Sequence, residues 1–366
     1  MPQPVTLPRV ARTLHARTLH AWAGVVLSLL VIVVAVSCAL LVWKDAYLRL
    51  TIPEARGGVA PTPDALARIA EGIDATFEDD LVLFVTFAHE HLALSEVVLD
   101  GDEMAYVDRD GALVDRWPVG TRPEDWLFEL HHRLLMKTTG LYIAGFAGLA
   151  VVVLIAAGAI AFWPARRAFR LGPWLRGAGR EALLVSHRNI GIVAAPFIAG
   201  MALTGAALAF PDTARGLLMH GAEDDPSYGE TFGDDVDDLS GADVAGWRPA
   251  LARAQAAFPD ATIRSAYWPN PITAYRVIGL QRAGDWNAVG RSVVYVDGIE
   301  GWMDLRIDER ALPWEERVFN GLLPVHTATL GGWPYKVLAT AVGVAFALLG
   351  ALGLAAFLRR SWRTTS

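Results

Sequence analysis

The stretch HAWAGVVLSLLVIVVAVSCALLVW, from His20 to Trp43, decides the fold of this chain. After its first residue it carries no ionisable charge, and it exceeds the roughly 20 apolar residues needed to cross a bilayer. Three further uncharged stretches of similar length follow along the chain: Thr138 to Trp163, Asn189 to Phe210 and Val337 to Leu358. We therefore predict a membrane protein with four spanning helices.

Composition supports this prediction. The 366 residues are 53% apolar and only 19% charged, whereas about a quarter of residues are charged in an ordinary soluble protein. The lone Cys38 excludes an internal disulfide framework.

The distribution of arginine predicts the orientation, since basic residues in short flanking segments resist translocation. Residues 1–20, 164–188 and 359–366 together hold twelve arginines and one acid, Glu181, so we expect them in the cytoplasm. The two long links are acidic: residues 44–127 hold 18 Asp and Glu against 7 Lys and Arg, and residues 211–325 hold 19 against 10. We expect both links outside, and neither favours nucleic acid as a partner.

These observations divide the chain into nine segments. In order they are a cytoplasmic N-terminus (1–20), a first span (21–43), a first extracytoplasmic module (44–127), a second span with an outer extension (128–163), a cytoplasmic link (164–188), a third span (189–210), a second module (211–325), a fourth span with an outer extension (326–358) and a cytoplasmic C-terminus (359–366).

An internal repeat relates the two halves of the chain. His20 and His187 both begin an HxxxG motif, and a hydroxyl side chain follows each histidine by seventeen positions, at Ser37 and Thr204. Spans two and four match when aligned on their preceding histidines, with the following equivalent pairs: His131 and His326, Gly158 and Gly353, Ala161 and Ala356, Phe162 and Phe357. The pattern predicts a duplicated four-helix membrane bundle.

Each acidic link has the pattern of a small α+β module. In the first link, residues 63–77 read as an amphipathic helix, and residues 81–89, 92–99 and 104–118 as strands with a turn at Asp110 and Gly111. In the second link the helix is expected over 247–258 and the strands over 262–268, 272–280 and 292–307. Asp234 to Asp238 read as a solvated connector. The fold class is thus an all-α four-helix membrane bundle with two small extracytoplasmic α+β modules.

Four of the nine histidines stand at equivalent positions of the repeat, namely His20, His187, His131 and His326. A neutral imidazole is a good axial ligand of haem iron, and two histidines at one depth on facing helices can hold a haem inside a bundle. We expect His20 and His187 to bind one haem b, and His131 and His326 a second. The glycine four residues after His20, and likewise after His187, would admit either a flat macrocycle or a closely packed helix.

Other roles for these histidines are simpler, because a histidine at a membrane interface can cap a helix or pair with a lipid phosphate. Recurrence at four matched positions favours haem ligation. His132 competes with His131, since adjacent helical residues point about 100° apart, and the repeat offset selects His131.

The remaining histidines carry weaker signals. His89 and His91 have strand spacing and form at most a weak metal pair, because one strand supplies only two ligands. His15 and His220 match nothing in the repeat, and we keep His220 as a reserve ligand. The sequence contains no P-loop, dinucleotide fingerprint, GxSxG or HExxH motif, and the spans lack the acids typical of a transporter pathway.

Several motifs together resemble those of the PepSY-associated transmembrane family, which includes bacterial inner-membrane iron-uptake proteins and ferric siderophore reductases. The motifs are LHAWAG at 19–24, LHHRLLMKTTG at 130–140, SHRNIGIVAAPFIAGMALTG at 186–205, HTATLGGWP at 326–334, AYVDRDGALVD at 105–115 and VYVDGIEGWMD at 294–304. The resemblance implies an inner-membrane oxidoreductase with PepSY-like modules, embedded in membrane lipid. Electrons would pass from quinol or a separate cytoplasmic reductase through haem b to a ferric siderophore or another ferric chelate outside.

One geometric difficulty and one alternative to this interpretation stay open. The segments His131–Trp163 and His326–Leu358 hold 33 residues each, about 50 Å of continuous helix, and this would separate the two histidine tiers widely. A different class is a non-enzymatic, membrane-anchored binding or regulatory protein of PepSY type, in which the histidines are structural and the acidic modules capture a partner.

Overall fold

A computed structural model describes residues 9–169, 172, 174, 177–219, 246–269, 275–297 and 303–360. Three features of the sequence analysis lie outside the described residues: His220, the connector Asp234 to Asp238, and positions 298–302 of the strand segment expected over 292–307. The chain forms two compact units. We name them the helical unit (1–42, 127–211 and 331–366) and the sheet unit (43–126 and 212–330).

The described helices are, in chain order, α1 (Arg9–Leu41), α2 (Lys44–Thr51), α3 (Pro63–Thr76), α4 (Pro123–Arg133), α5 (Lys137–Phe162), α6 (Arg180–Ala209), α7 (Pro211–Leu218), α8 (Trp247–Ala257), α9 (Trp314–His326) and α10 (Gly332–Leu358). The described strands are β1 (Val82–Thr86), β2 (Ser95–Leu99), β3 (Glu103–Val107), β4 (Leu113–Pro118), β5 (Ala261–Tyr267), β6 (Tyr275–Arg282), β7 (Ser292–Asp297) and β8 (Met303–Ile307).

Four helices are long and apolar enough to cross a membrane, which confirms the four predicted spans. Their candidate spans are Leu14–Leu41, Lys137–Arg167, Arg180–Ala209 and Gly332–Leu358. Large apolar side chains such as Val26, Leu29 and Phe146 are exposed on their outer surfaces. Such surfaces are stable only against hydrocarbon.

The four long helices pack as a closed ring. α1 and α6 each pack against both α5 and α10, so α1 and α6 lie diagonally across the bundle. Val31, Val151, Ala194, Ile198 and Val342 form the shared core. Glycines allow close approach: a Cβ on Gly343 would lie 3.0 Å from the carbonyl oxygen of Ala35.

The helix expected over His131–Trp163 is interrupted in the structure. α4 ends at Arg133, and Leu134, Leu135 and Lys137 have positive φ angles of 51°, 59° and 52° before α5 continues. The helix expected over His326–Leu358 is interrupted as well, because α9 ends at His326 and Gly331 (φ 83°) precedes α10. Neither segment is a straight rod of about 50 Å.

The predicted helices and strands of the acidic links are present. The predicted turn follows β3, where Gly111 has a φ angle of 80° and Asp108 accepts hydrogen bonds from the backbone of Asp110 and Ala112. α3 begins at the predicted helix start, where the Thr62 hydroxyl accepts from the amide of Ala65.

The two links do not form two separate modules. Their strands build one eight-stranded antiparallel sheet in the order β4-β3-β2-β1-β5-β6-β7-β8. β1 pairs with β5 at Val85↔Ala266, which joins strands from the two links. The expectation of two small modules was therefore wrong in this respect: each link contributes an edge strand, and pairing these edges satisfies backbone groups that would otherwise be left open.

Both link helices cover the same apolar region of this sheet. α3 packs against α8, and Leu66, Ile69, Leu251, Ile263 and Ile278 are buried in their common core. The carboxylate of Asp74 accepts hydrogen bonds from the indole nitrogens of Trp247 (2.8 Å) and Trp268 (2.7 Å). A single core thus unites residues that are nearly 200 positions apart.

Candidate functional site

His20 and His187 meet inside the helical unit. His20 lies on α1 and His187 on α6, the two diagonal helices, and their ring centroids are 5.8 Å apart with an interplanar angle of 78°. Both residues lie within their helices, because α1 begins eleven residues before His20 and α6 seven residues before His187. The backbone around each ring is therefore fixed by helical hydrogen bonds.

Each of these rings is held by one backbone carbonyl of a neighbouring span. Nδ1 of His20 is 2.9 Å from the carbonyl oxygen of Leu154 on α5, and Nδ1 of His187 is 3.0 Å from that of Leu349 on α10. A carbonyl oxygen only accepts, so Nδ1 donates in both rings and the lone pair of a neutral ring stays on Nε2. Metal-binding histidines are commonly oriented by the same second contact.

Glycines at matched positions make room for both rings. A Cβ on Gly158 would lie 3.1 Å from Cε1 of His20, and one on Gly353 would lie 3.4 Å from Cε1 of His187. Each glycine lies four residues after the residue whose carbonyl accepts from the ring, Leu154 or Leu349, so it lies one turn further along the same helix face. A larger side chain at Gly158 would displace the imidazole.

The glycines of the two HxxxG motifs behave differently. A Cβ on Gly24 would meet no atom within 4 Å, and one on Gly191 would meet only a methyl carbon of Leu349 at 3.6 Å. Neither is a point of close helix packing. The space next to each histidine is compatible with a flat group lying against the helix.

Two neutral imidazoles with free Nε2 atoms can bind one metal from opposite sides. With metal–nitrogen bonds of about 2 Å, the centroids of two such rings are separated by roughly 6 Å, close to the separation of His20 and His187. Two imidazole donors fit a metal that brings its remaining ligands with it, as haem iron does. Groups of three or more metal-binding side chains are not found among the described residues.

His131 is held in the same tautomeric form. Its Nδ1 lies 3.1 Å from the carbonyl oxygen of Val34 and 3.0 Å from Oγ of Ser37 on α1. The Ser37 hydroxyl donates to the carbonyl oxygens of Val33 and Val34, so its oxygen accepts from His131. Ser37 is almost fully buried. Nδ1 is thus the protonated ring nitrogen here as well.

His132 has a different environment. Its ring packs on Phe128 with centroids 5.1 Å apart, and its buried Nδ1 has no hydrogen-bond partner among the described residues. His326 is half-buried at the end of α9. The pairing of His131 with His326 stays a prediction.

The other histidines do not form a metal site in the described structure. His89 and His91 flank a tight turn rather than alternating along a strand, and the amide of His91 donates to Nδ1 of His89. Burial and the nearby Arg264 lower the pKa of His89, while Asp45 opposes this effect. His15 is exposed.

The sequence analysis missed two features, namely the carbonyl groups that accept from the histidines and a charged network. Leu154 and Leu349 act through backbone atoms, which no side-chain motif reveals, although the matched Gly158 and Gly353 mark their position. The network lies on the sheet unit, where Lys44 is 2.5 Å from Glu96 and the Tyr106 hydroxyl donates to Glu124 at 3.3 Å.

Arg122 completes this network. Its guanidinium carbon lies 5.3 Å from the ring centroid of Tyr106 and 5.0 Å from that of Trp117, and it donates to Glu124 at 2.7 Å. Burial alone would lower the pKa of Lys44, but the charges of Glu96 and Glu124 outweigh it, so the pKa of Lys44 is raised. Every cation in the network has an acidic partner, which favours a structural role.

The described helices and sheet define a membrane protein with several spans and an antiparallel sheet that is built from the links between the spans in sequence. The family described as PepSY-associated TM region matches residues 17–360. The chain belongs to this family, and the resemblance inferred from its motifs is confirmed. No curated protein matches the chain.

Proposed function

We propose that this protein is a haem b-containing oxidoreductase of the bacterial inner membrane, which passes electrons to an extracytoplasmic acceptor, most suitably a ferric siderophore. The observation that carries the proposal is the pair His20 and His187, whose ring centroids lie 5.8 Å apart with each Nδ1 bonded to a backbone carbonyl. Membership of the PepSY-associated TM family supports it.

The residues of the chain supply ligation and orientation. Leu154 and Leu349 fix the tautomer of the inner pair, and Val34 and Ser37 fix that of His131. A bound haem supplies reversible one-electron transfer at a potential set by its axial ligands and surroundings. His20 and His187 would be the residues of the chain that hold the inner haem.

Two haems explain the duplication of the histidines. In this proposal His20 and His187 bind the inner haem, and His131 and His326 the outer one. The interruptions at 134–137 and 327–331 remove the long straight helices that would have held the tiers far apart. No protein acid or base is required.

A ferric chelate suits the outer acceptor on chemical grounds. Reduction of Fe(III) to Fe(II) weakens its binding by hard oxygen ligands, so electron transfer alone releases the iron. The donor would be quinol or a separate cytoplasmic reductase, since the basic link 164–188 is too short for a flavin domain.

Spectroscopy of ligand variants tests the haem assignment. The purified protein should show a reduced-minus-oxidised spectrum of low-spin b-type haem. His20→Ala or His187→Ala should remove about half of the haem, and His131→Ala or His326→Ala the other half. His89→Ala and His132→Ala serve as controls and should retain all of it. Full haem content in all four ligand variants would exclude the assignment.

Anaerobic reoxidation tests the acceptor. Protein reduced in detergent should be reoxidised by at least one ferric siderophore, and this reaction should be lost in the His131 and His326 variants. If no ferric chelate reoxidised the haem, ferric reductase activity would be excluded. Absence of any haem would instead favour the non-enzymatic binding protein.

A further inference from the structure

One region of the sheet unit contains several buried polar atoms without partners. Eight buried side-chain nitrogen and oxygen atoms lack a hydrogen-bond partner among the described residues, and four of them belong to Asn287 (Nδ2), Arg291 (Nε), Glu309 (Oε2) and Asn320 (Nδ2). We call these four residues the polar cluster. Buried polar groups are nearly always paired in folded proteins, so this concentration indicates a bound group.

Contacts between three segments bring the polar cluster together. Trp286 in the β6–β7 loop packs on Gly321 of α9, where a Cβ would lie 2.6 Å from its ring. Asn287 and Asn320 are the immediate neighbours of these two residues.

The other two members of the polar cluster, Arg291 and Glu309, are brought together at the start of β7. The amide of Glu309 donates to Oγ of Ser292 at 3.3 Å, next to Arg291. Arg317, one turn before Asn320 on α9, also lies close enough to act on the charge of Glu309.

The amide of Asn287 is oriented by the loop itself. Its Oδ1 accepts from the amide of Val289 at 3.0 Å, so its Nδ2 must point elsewhere. Gly290 (φ 80°) allows the loop to lie against Leu280, because any Cβ there would be 2.5 Å from that backbone. The free donor of Asn287 is thus held in place.

The charges around the polar cluster balance. Arg310 pairs with Asp285 at 3.4 Å and with Asp260 at 3.8 Å. Arg291 and Arg317 have no ion pair in the described part of the chain, and both act on the charge of one carboxyl, Glu309. Burial and Asp285 raise the pKa of Glu309.

We propose that the polar cluster binds a carboxylate group of a ligand. Two amide donors and one guanidinium donor match an acceptor group with two oxygens, such as a carboxylate. Asn287, Arg291 and Asn320 are the donors.

Two ligands of this protein would present such a group. One is a haem propionate, which rests on the proposed function: α9 carries Asn320 six residues before His326, about 9 Å along the helix. The other is a carboxylate arm of a ferric chelate. The carboxylate site itself does not depend on haem.

Asn287→Asp and Arg291→Gln are the test variants. Asn287→Asp keeps an oxygen for the amide of Val289 and exchanges only the unpaired donor for an acceptor, so the loop is preserved. Arg253→Gln is the control, since it removes one charge from the exposed surface of α8 in the same unit. Thermal unfolding confirms that each variant is folded.

The first measurement is calorimetric titration of the purified full chain with iron-free citrate. The second is reconstitution of the haem-depleted full chain with protohaem or with its dimethyl ester, in which the propionates are blocked. If the cluster binds a chelate, both test variants should bind citrate at least about tenfold more weakly than wild type. If it binds a propionate, wild type should prefer protohaem over the diester by at least about tenfold, and this preference should vanish in both variants.

Either result supports the proposal and identifies the source of the carboxylate. Equal behaviour of wild type, test variants and control in both measurements would mean that the cluster holds only water, and it would overturn the proposal. A chain that binds citrate through the cluster but no form of haem would refute the proposed function and leave the carboxylate site standing.

Discussion

At the residue scale, the same kind of hydrogen bond recurs at three histidines. His20, His187 and His131 each place Nδ1 on a backbone carbonyl of another helix. This contact fixes the orientation and the tautomer of each ring. It also satisfies a polar group that would be costly inside a membrane.

Substitution of the glycines beside the rings should separate a ligand role from ordinary packing. Gly158→Ala places a Cβ 3.1 Å from the His20 ring, so we expect it to displace the imidazole at a cost of about 1–3 kcal/mol and to lower haem content. Gly353→Ala, at 3.4 Å from His187, should have a smaller effect. Haem content per protein, from the reduced spectrum, is the measurement.

Gly24→Ala is the matched control for these two variants. It introduces the same methyl group on α1, four residues from His20, but meets no atom within 4 Å. We expect unchanged haem content and equal or higher thermal stability, because alanine favours a helix over glycine. If all three variants behaved alike, the contact at Gly158 would have no importance for the ring.

A second prediction at this scale concerns the pH dependence of stability. Arg116 donates to both oxygens of Asp80, at 2.7 and 2.9 Å, and this holds the pKa of Asp80 below its ordinary value. A lowered pKa in the folded state stabilises the fold above the unfolded-state pKa, and this contribution is lost as pH falls through the folded pKa.

The difference in stability between wild type and Asp80→Asn should therefore be constant near pH 7 and shrink as pH falls below about 4. Thermal unfolding of the sheet unit at several pH values measures it. Asp79→Asn is the neighbouring control, since Asp79 has no ion pair among the described residues, and it should show no such trend. A difference that grows on acidification would contradict the assignment.

At the element scale, the interruption between α4 and α5 determines where His131 lies. Its tight geometry depends on Gly140, where a Cβ would lie only 1.6 Å from the carbonyl oxygen of Arg133. The first turn of α5 thus packs directly against the end of α4, and His131 contacts α1 from this separate short helix.

Glycine substitution distinguishes this interruption from a continuous helix. Leu135 is exposed with a φ angle of 59°, a conformation that costs an L-residue about 1–2 kcal/mol. Leu135→Gly should leave thermal stability in detergent unchanged or raise it. Ala156→Gly, at an exposed position inside α5, should lower stability by about 1 kcal/mol. Equal losses in both variants would indicate that the helix is continuous at 134–137.

At the scale of the whole molecule, the chain alternates between two units four times. Each spanning helix of the helical unit leads into or out of the sheet unit. Strands from both links complete one sheet, so neither link can finish its core without the other. The sheet can therefore be completed only when both links are present.

Reporter fusions test the orientation of this molecule. Because the arginines concentrate in 1–20, 164–188 and 359–366, a reporter after Ser366 or within 172–179 should be active only in the cytoplasm. A reporter within 234–240 should be active only outside. Cytoplasmic activity of the latter fusion would refute the predicted topology.

The amino-acid sequence by itself determined the spans, the link helices and most strands, and it singled out His20 and His187. Those features depend on local patterns: uncharged runs of sufficient length, alternating apolar residues, and side chains repeated at fixed offsets. It also marked Gly158, Gly353 and Ser37 as matched positions without indicating what they contact.

Only the tertiary structure decided that β1 and β5 join the two links, that Leu154 and Leu349 hold the histidines, and that the helices break near His131 and His326. Nearly every residue carries the same main-chain N–H and C=O groups. Residue types therefore do not reveal which strand edges pair or which carbonyl a histidine contacts. The break near His131 occurs at two leucines and a lysine, which prefer a helix, because long-range packing outweighs local propensity there. The break near His326 ends at Gly331, where glycine favours the positive φ angle.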